Sequence, residues 1–333
     1  MGFKAYLINQ EDGKVVSRFV EMDESQLDPG EVTVAVTHST INYKDALAAT
    51  GMGRIIRRFP CIGGVDLAGR VTASADSRFQ PGDEVLATSY DIGVAHHGGY
   101  SEQARLPADW VVKLPPGLSR RDAMALGTAG FTAGLAVVRM EHDGLAPNKG
   151  PVVVSGATGG VGSIAIAILA KRGYHVVALT GKEAENDYLM SLGAKEILLR
   201  QSLDLTKIKP LAKETWAGAV DNLGGDVLAW MASTMKVGGT LASIGLAASF
   251  NLNTTVMPFI LRGVSLLGID SVNCPMAQRA AVWQSLANDI RPADLAPGPA
   301  RMIREIEFAD LPAAFDDYIQ GRVRGRVVVN IAA

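Results

Sequence analysis

The chain has 333 residues, 48% hydrophobic and 20% charged, with 32 Lys and Arg against 34 Asp and Glu for a net charge of -2. That length is about twice a common domain, so two domains are expected, and the near-neutral balance excludes a general attraction to nucleic acid. Only two cysteines are present, Cys61 and Cys274; this argues against a disulfide framework and for a reducing, cytoplasmic compartment. The opening Met-Gly-Phe-Lys-Ala-Tyr-Leu runs straight into strand-like alternation with no secretory apolar core, and Tyr6 stands where a myristoylation signal needs Ser or Thr.

Residues 3 to 8 and 14 to 20 read as strands joined through Glu11-Asp12-Gly13, a hairpin signal. Pro29-Gly30 turns the chain into an alternating strand at Val32 to Val36, and further strands are expected at Asp66 to Ala73 and, after Pro81-Gly82-Asp83, at Glu84 to Ala87. Short strands punctuated by Gly and Pro predict an irregular all-β domain over roughly the first 115 residues. After Pro115-Pro116-Gly117 the composition changes, and Arg121 to Met140, rich in Ala, Leu and Met, reads as helix interrupted near Gly127 to Gly130. From Pro151, strand-like runs at Val152, Val176, Ala194 to Leu198, Gly218 to Asn222, Gly239 to Ile244 and Val264 to Gly268 alternate with helix-length segments, the pattern of a doubly wound parallel sheet. A helix near Pro275 to Asp289 follows, and the last strand, Arg326 to Ile331, is expected to join the first domain. The uncharged runs Gly150 to Ala170 and Val237 to Leu261 read as interior strand, helix and loop, because glycines break the first and Asn251, Asn253 and Pro258 the second.

The Val152 run ends at Ser155-Gly156, passes Gly159, Gly160 and Gly162, and enters the apolar segment Ile164 to Leu169, with Val176 to Leu179 completing a βαβ unit. The glycine pattern is AxGxxG, with Ala157 in the first position. Gly159 is expected to turn the chain sharply, Gly160 or a neighbour to let backbone N–H groups approach a pyrophosphate, and Gly162 to let helix and strand pack closely. An NAD-specific unit usually ends its second strand on Asp or Glu; here Thr180-Gly181-Lys182 offers a hydroxyl and a cation, which suits a 2′-phosphate and favours NADPH. Arg200, at the end of the next strand, could add a bidentate phosphate contact, and a solvated surface charge is the plain alternative for either cation.

Several blocks recur in a fixed order: Ile41-Asn42-Tyr43-Lys44-Asp45, Pro60 through Val71, Pro81-Gly82-Asp83-Glu84-Val85, Gly98-Gly99-Tyr100-Ser101-Glu102 and Gly127-Thr128-Ala129-Gly130-Phe131-Thr132-Ala133. With them the whole chain resembles the medium-chain dehydrogenase/reductase superfamily in its zinc-independent quinone oxidoreductase branch. Asn-Tyr-Lys-Asp-Ala-Leu at 42 to 47, Val-Met-Pro-Phe-Ile-Leu-Arg-Gly-Val at 256 to 264 and Gly-Ile-Asp-Ser at 268 to 271 resemble its acrylyl-CoA reductase subgroup. The resemblance implies an α/β chain with a GroES-like irregular β-barrel catalytic domain at 1–120 plus 300–333 and a Rossmann NADPH-binding domain at 121–299. It implies a homodimer, with the apolar Val256 to Ile269 segment a candidate for pairing across subunits, and cofactor contacts from Tyr43, Thr158, Gly159, Gly160, Val161, Gly162, Thr180, Gly181, Lys182, Arg200, Asn222, Leu246, Ile260, Ser271 and Arg326.

Zinc-dependent relatives carry a Gly-His-Glu motif where this chain has Gly64-Val65-Asp66, and two cysteines cannot build a four-cysteine structural site, so no metal is expected. His96-His97 is read as solvent-facing or loop-packing, since adjacent histidines lack the spacing of metal ligands. Without a metal, an α,β-unsaturated thioester suits the chemistry: hydride adds to its β-carbon, the resulting enolate oxygen needs hydrogen-bond donors, and its α-carbon needs a proton. Tyr43, flanked by Asn42 and Asp45, is the catalytic candidate, whose phenol could position the nicotinamide, donate a proton or only pack its ring, with bulk water as the other proton source. Arg54, Arg57 and Arg58 could form a basic rim for the phosphates of coenzyme A or simply a solvated face, and Ile55, Ile56, Met257, Phe259 and Ile260 could line a cleft or a subunit interface. NADPH-dependent reduction of acrylyl-CoA to propanoyl-CoA is the leading expectation; a quinone or enone oxidoreductase and a non-catalytic NADPH-binding protein are the alternatives. Neither nucleic acid nor membrane is an expected partner.

Overall fold

The computed structural model describes residues 2–298 and 300–332. Its chain divides into two units, Met1–Thr128 with Val272–Ala287 and Leu295–Ala333, and Ala129–Ser271 with Asn288–Asp294. The first boundary therefore falls at Thr128 rather than 120, and the one expected at 299 lies on Pro299, outside the described residues. The helix Met276–Ala287, expected in the sheet domain, belongs to the first unit: its Arg279 is 0% exposed and donates to the carbonyl (3.1 Å) and hydroxyl (3.0 Å) of Thr88.

Two sheets build the first unit. Phe3–Glu11 and Lys14–Met22 pair antiparallel around Asp12-Gly13, whose φ values of 49° and 77° give a left-handed two-residue turn that matches strand twist. The short strand Cys61–Ile62 joins the other side of Phe3–Glu11. The larger sheet runs in the order Ile303–Glu307, Arg326–Asn330, Val32–Ile41, Asp66–Ser74, Glu84–Thr88, Val111–Lys113, with Gln103–Leu106 also paired to Val32–Ile41. Val32, Val34, Val36 and Ile41 are at most 1% exposed, and Val327 pairs with Ile41, so the last strand does complete the first unit. Cys61–Ile62, Gln103–Leu106 and Val111–Lys113 escape sequence reading because two to four residues are too few to show alternation.

The second unit is a six-stranded parallel sheet in the order Glu196–Leu199, Val176–Thr180, Val152–Val154, Trp216–Asp221, Met235–Ser243, Ser265–Gly268. Numbered along the chain this is 3-2-1-4-5-6, the doubly wound order, whose ligand crevice opens at the carboxyl ends of the first and fourth strands. Val152, Val153 and Val154 are 0% exposed, as expected of a strand covered on both faces. The helix Gly160–Lys171 buries Ile164, Ile168 and Leu169, and Gly173 (φ 83°) ends it by donating to the Ala170 carbonyl at 3.0 Å. Of the run Val237 to Leu261, the stretch Gly239 to Ala242 on the strand Met235–Ser243 is interior as expected; Val237, at the start of the run, is 69% exposed, and beyond the strand Leu246, Phe250, Val256, Ile260 and Leu261 are exposed, between 60% and 84%. Leu246 and Phe250 follow the carboxyl end of that strand in connecting chain, and Ile260 and Leu261 lie on the six-residue helix Met257–Arg262 before the edge strand.

The helix Arg120–His142 is long and apolar enough to resemble a membrane span, yet 83% of its apolar window is buried within the protein. It breaks at Gly127 (φ 53°, ψ −156°), where a Cβ would lie 2.6 Å from Arg326 Nη2 and 2.8 Å from Asp66 Oδ2. Gly127→Ala combines a disfavoured backbone conformation with two polar clashes in the interior. We expect a loss of about 3 kcal/mol or more, read as a fall of over ~5 °C in the thermal midpoint; an unchanged midpoint would contradict the geometry.

Candidate active site

In the second unit the left-handed turn after the first strand is made by Gly156 (φ 57°). Gly159 is extended (φ −76°) and caps the helix, so the sharp turn expected of it has moved to the residue before Ala157. Gly162 behaves as expected, since a Cβ there would sit 2.4 Å from the Gly156 carbonyl oxygen. Gly159 is exposed, Gly160 and Val161 half-exposed and Thr158 buried at 8%, which leaves the first N–H groups of the helix at an open surface with no side-chain cap.

Thr180, Gly181, Lys182 and Arg200 come together where the second and third strands end. Thr180, 4% exposed, accepts the Lys182 N–H on its hydroxyl at 3.0 Å. A Cβ on Gly181 would lie 3.5 Å from Arg200 Nη2 and 3.7 Å from its Nε, so the guanidinium covers the glycine. Two exposed cations, Lys182 and Arg200, thus flank a hydroxyl and a bare backbone. Asn222, half-exposed, donates from Nδ2 to the Ser155 carbonyl at 2.7 Å. Leu246 and Ile260 are exposed at 66% and 70%, and Ser271 is half-exposed at the end of the unit.

In the first unit Asn42 precedes the helix Tyr43–Thr50, and Asp45 reaches back to accept the Asn42 N–H at 2.8 Å. Asp45 is 2% exposed and also accepts the Val65 N–H at 3.1 Å. The Asn42 amide bridges two carboxylates, donating from Nδ2 to Asp45 (3.2 Å) and to Asp66 (2.9 Å). Asp66, 0% exposed, accepts the Thr128 N–H at 2.8 Å and the Thr128 hydroxyl, which leaves Ser89 to donate its own hydroxyl to Thr128 at 3.1 Å. Burial, reinforced by the Asp66 carboxylate, pushes the Asp45 carboxyl up to about 6 against the pull of its Asn42 hydrogen bonds. Tyr43 itself is 53% exposed.

Other expected contacts are redistributed. Arg326 is 2% exposed, and its three guanidinium nitrogens donate within the first unit, to the Ala125 carbonyl (3.2 Å), the Ile41 carbonyl and Asn42 Oδ1 (both 3.2 Å), and the Thr40 hydroxyl (2.7 Å). It therefore stands as a support of Asn42 rather than as an exposed cofactor cation. Arg57 is ion-paired with Asp91 and Arg58 with Asp28, so the expected basic rim reduces to Arg54, exposed and without an ion pair among the described residues. Ile55 and Ile56 pack on the first core and Phe259 on the second. His96 and His97 are loop-packing and buried: Ile62 N–H donates to His97 Nδ1 at 3.0 Å, and His96 Nε2 meets the Pro29 carbonyl at 3.1 Å. Among the described residues no group of three or more His, Cys, Asp or Glu side chains is placed to hold a metal ion.

In the sequence Asp66 stands out only as the residue in the zinc-motif position and Thr128 only within a family block, and nothing there gives either of them, or Ser155, a role in the site. Their roles come from partners 24 to 67 residues away, a separation that leaves no local pattern.

A dinucleotide-binding parallel sheet paired with a β-rich unit defines the alcohol-dehydrogenase-like class of oxidoreductases. Residues 28–116 match the model of the alcohol dehydrogenase GroES-like domain, and residues 160–288 that of the zinc-binding dehydrogenase family. The chain is 48% identical to the acrylyl-CoA reductase AcuI of Ruegeria pomeroyi over 99% of its own length and 100% of that protein. It is 50% identical, over 90% of each chain, to the putative quinone oxidoreductase YhfP of Bacillus subtilis, whose crystal structure with NAD bound superimposes with a TM-score of 0.95 over 99% of both chains. The YhdH oxidoreductase of Salmonella enterica, crystallised with NADP, also has a TM-score of 0.95, at 49% identity over 99% of this chain and 100% of that one. The chain belongs to the medium-chain dehydrogenase/reductase family.

The raised carboxyl of Asp45 sets a pH signature. Its folded value, about 6, exceeds the unperturbed 3.8, so the folded state holds the proton more tightly. That contribution is complete below the unfolded value and is lost as pH rises through 6, up to roughly 3 kcal/mol. Asp45→Asn removes the titration, so the stability of the variant relative to wild type should improve between pH 4 and 7; a pH-independent difference in thermal midpoint would count against the assignment.

Proposed function

We propose that the chain is an NADPH-dependent reductase of the carbon–carbon double bond of acrylyl-CoA, giving propanoyl-CoA. The observation that carries the reading is the end-to-end match, at 48% identity, to a protein named an acrylyl-CoA reductase. The residues present fit the dinucleotide: Gly162 leaves no room for a Cβ, the second strand ends on Thr180 instead of a carboxylate, and Arg200 covers Gly181. When bound, NADPH supplies the hydride that adds to the β-carbon of the thioester.

The N–H groups at the start of the helix Gly160–Lys171 would hold the pyrophosphate, and Thr180, Lys182 and Arg200 would take the 2′-phosphate by hydroxyl and charge-assisted hydrogen bonds. Tyr43 is the first residue of a helix whose start is fixed by Asn42 and Asp45, and its exposed ring and phenol are the groups we assign to the reaction. The enolate takes its α-proton from this phenol or from water. Arg54, exposed and free of an ion pair among the described residues, is the arginine we assign to a coenzyme A phosphate. Reduction of a quinone is the second reading, favoured by the 50% identity to a protein named a putative quinone oxidoreductase.

Steady-state kinetics with acrylyl-CoA and a simple quinone, each with NADPH and NADH, test both readings. We expect the higher kcat/KM with acrylyl-CoA and NADPH; a higher value with the quinone sinks the thioester assignment. Lys182→Ala and Arg200→Ala should each raise KM for NADPH by about tenfold and leave that for NADH within about twofold, and equal losses for both cofactors would refute the phosphate role.

A further inference from the structure

Asp221 ends the strand Trp216–Asp221 beside Val152–Val154, at the place where the sheet order reverses. It is 0% exposed, and both of its oxygens are occupied by donors: Oδ1 accepts the Ser155 hydroxyl at 2.7 Å and the Leu223 N–H at 3.2 Å, and Oδ2 accepts the Gly224 N–H at 2.7 Å. Ser155, having given its proton to Asp221, accepts the Asn222 N–H on the same oxygen at 2.9 Å, and its carbonyl accepts Asn222 Nδ2 at 2.7 Å. These bonds staple the loop after the fourth strand to the loop after the first.

Two consequences follow for the crevice. Asn222 is held against the glycine turn, 3.1 Å from where a Gly156 Cβ would be, so it forms the wall of that turn. Its Nδ2 is committed to Ser155, which orients the amide and leaves Oδ1 as an acceptor with no hydrogen-bond partner among the described residues. Burial raises the Asp221 carboxyl above its usual value, while the three donors favour the ionised form they surround.

We propose that Asp221 is a positioning residue of the dinucleotide site: through Ser155 it sets the gap between the glycine turn and the Asn222–Gly225 loop, and it orients Asn222 so that its free oxygen can meet a cofactor hydroxyl. The proposal rests on the nicotinamide dinucleotide reading above. Asp221→Asn keeps the shape but replaces one acceptor oxygen with an amino group that faces N–H or O–H donors, so the staple opens. Because Asp221 lies at the strand end and not beside Lys182 and Arg200, the loss falls on NADPH and NADH alike.

The test is fluorescence titration of wild type, Asp221→Asn and Ser155→Ala with NADPH and with NADH, with amide hydrogen exchange on the unliganded proteins. We expect Asp221→Asn to raise Kd for both nucleotides by about tenfold, with Ser155→Ala changing both in the same direction. Exchange at 222–224 should quicken, and kcat at saturating NADPH should stay within about twofold of wild type. A folded Asp221→Asn protein whose affinities stay within about twofold of wild type overturns the proposal, as does a loss confined to NADPH. Should Asp221→Asn fail to fold, Ser155→Ala decides by the same criteria. A wild-type protein that binds neither nucleotide would defeat the cofactor reading itself, an outcome distinct from normal wild-type binding with unaltered variants.

Discussion

A buried carboxylate must have its charge met by hydrogen bonds, and in the first unit that requirement arranges Asn42 and Thr128 around Asp66. It lies on the sheet strand Asp66–Ser74, accepts the N–H of Thr128 where the long helix restarts after Gly127, and holds the amide of Asn42 at the start of the helix that carries Tyr43. One side chain thereby anchors the starts of two helical segments, where the exposed N–H groups and the helix dipole favour a negative charge. Gly127 is bare because Asp66 and Arg326 both press on the space its Cβ would need. Arg326 then supports the other end of the same amide, through Asn42 Oδ1.

The second unit solves a similar problem with Asp221. In both cases a buried aspartate lies in a sheet strand, next to loops or helix starts rich in N–H donors, and in both an asparagine amide is fixed as a result, Asn42 by Asp66 and Asn222 by way of Ser155. Each asparagine adjoins a candidate functional element: Tyr43 in one unit, the glycine turn in the other. Packing alone would not orient an amide, whose two ends have nearly the same shape; the asymmetry of donors and acceptors does.

The parallel sheet was legible in full. Six β-branched or apolar runs became six strands in the doubly wound order; the three central ones, Val152–Val154, Val176–Thr180 and Trp216–Asp221, are buried on both faces and are therefore written in nearly continuous apolar residues. The glycine turn was legible in outline and misplaced in detail, since the residue with positive φ is Gly156, which no GxGxxG template weights. Thr180, Gly181 and Lys182 lie together because they are adjacent in sequence, and Arg200 joins them because it follows directly on the neighbouring strand. What could not be read was pairing at a distance. Arg57 and Arg58 look like a free basic rim until Asp91 and Asp28 are seen beside them, and Arg326 looks like a cofactor ligand until it is found surrounded by carbonyls and hydroxyls from residues 40 to 42 and 125.

The pairing of Arg326–Asn330 with Val32–Ile41 has a consequence for biosynthesis. The hydroxyl of Thr40 bonds the carbonyl of Val327, a partner translated 287 residues later. Until then the His38–Ile41 half of the central strand lacks its neighbour on one side and exposes an unpaired edge to other chains, while Val32–Ala35 is already covered by Gln103–Leu106. The second unit is nearly continuous in sequence, from Ala129 to Ser271, and can close its sheet while the first still waits. A nascent chain stalled before Arg326–Asn330 would therefore hold a finished nucleotide-binding sheet and an aggregation-prone first unit, so that five-residue strand is the one whose arrival covers the exposed edge.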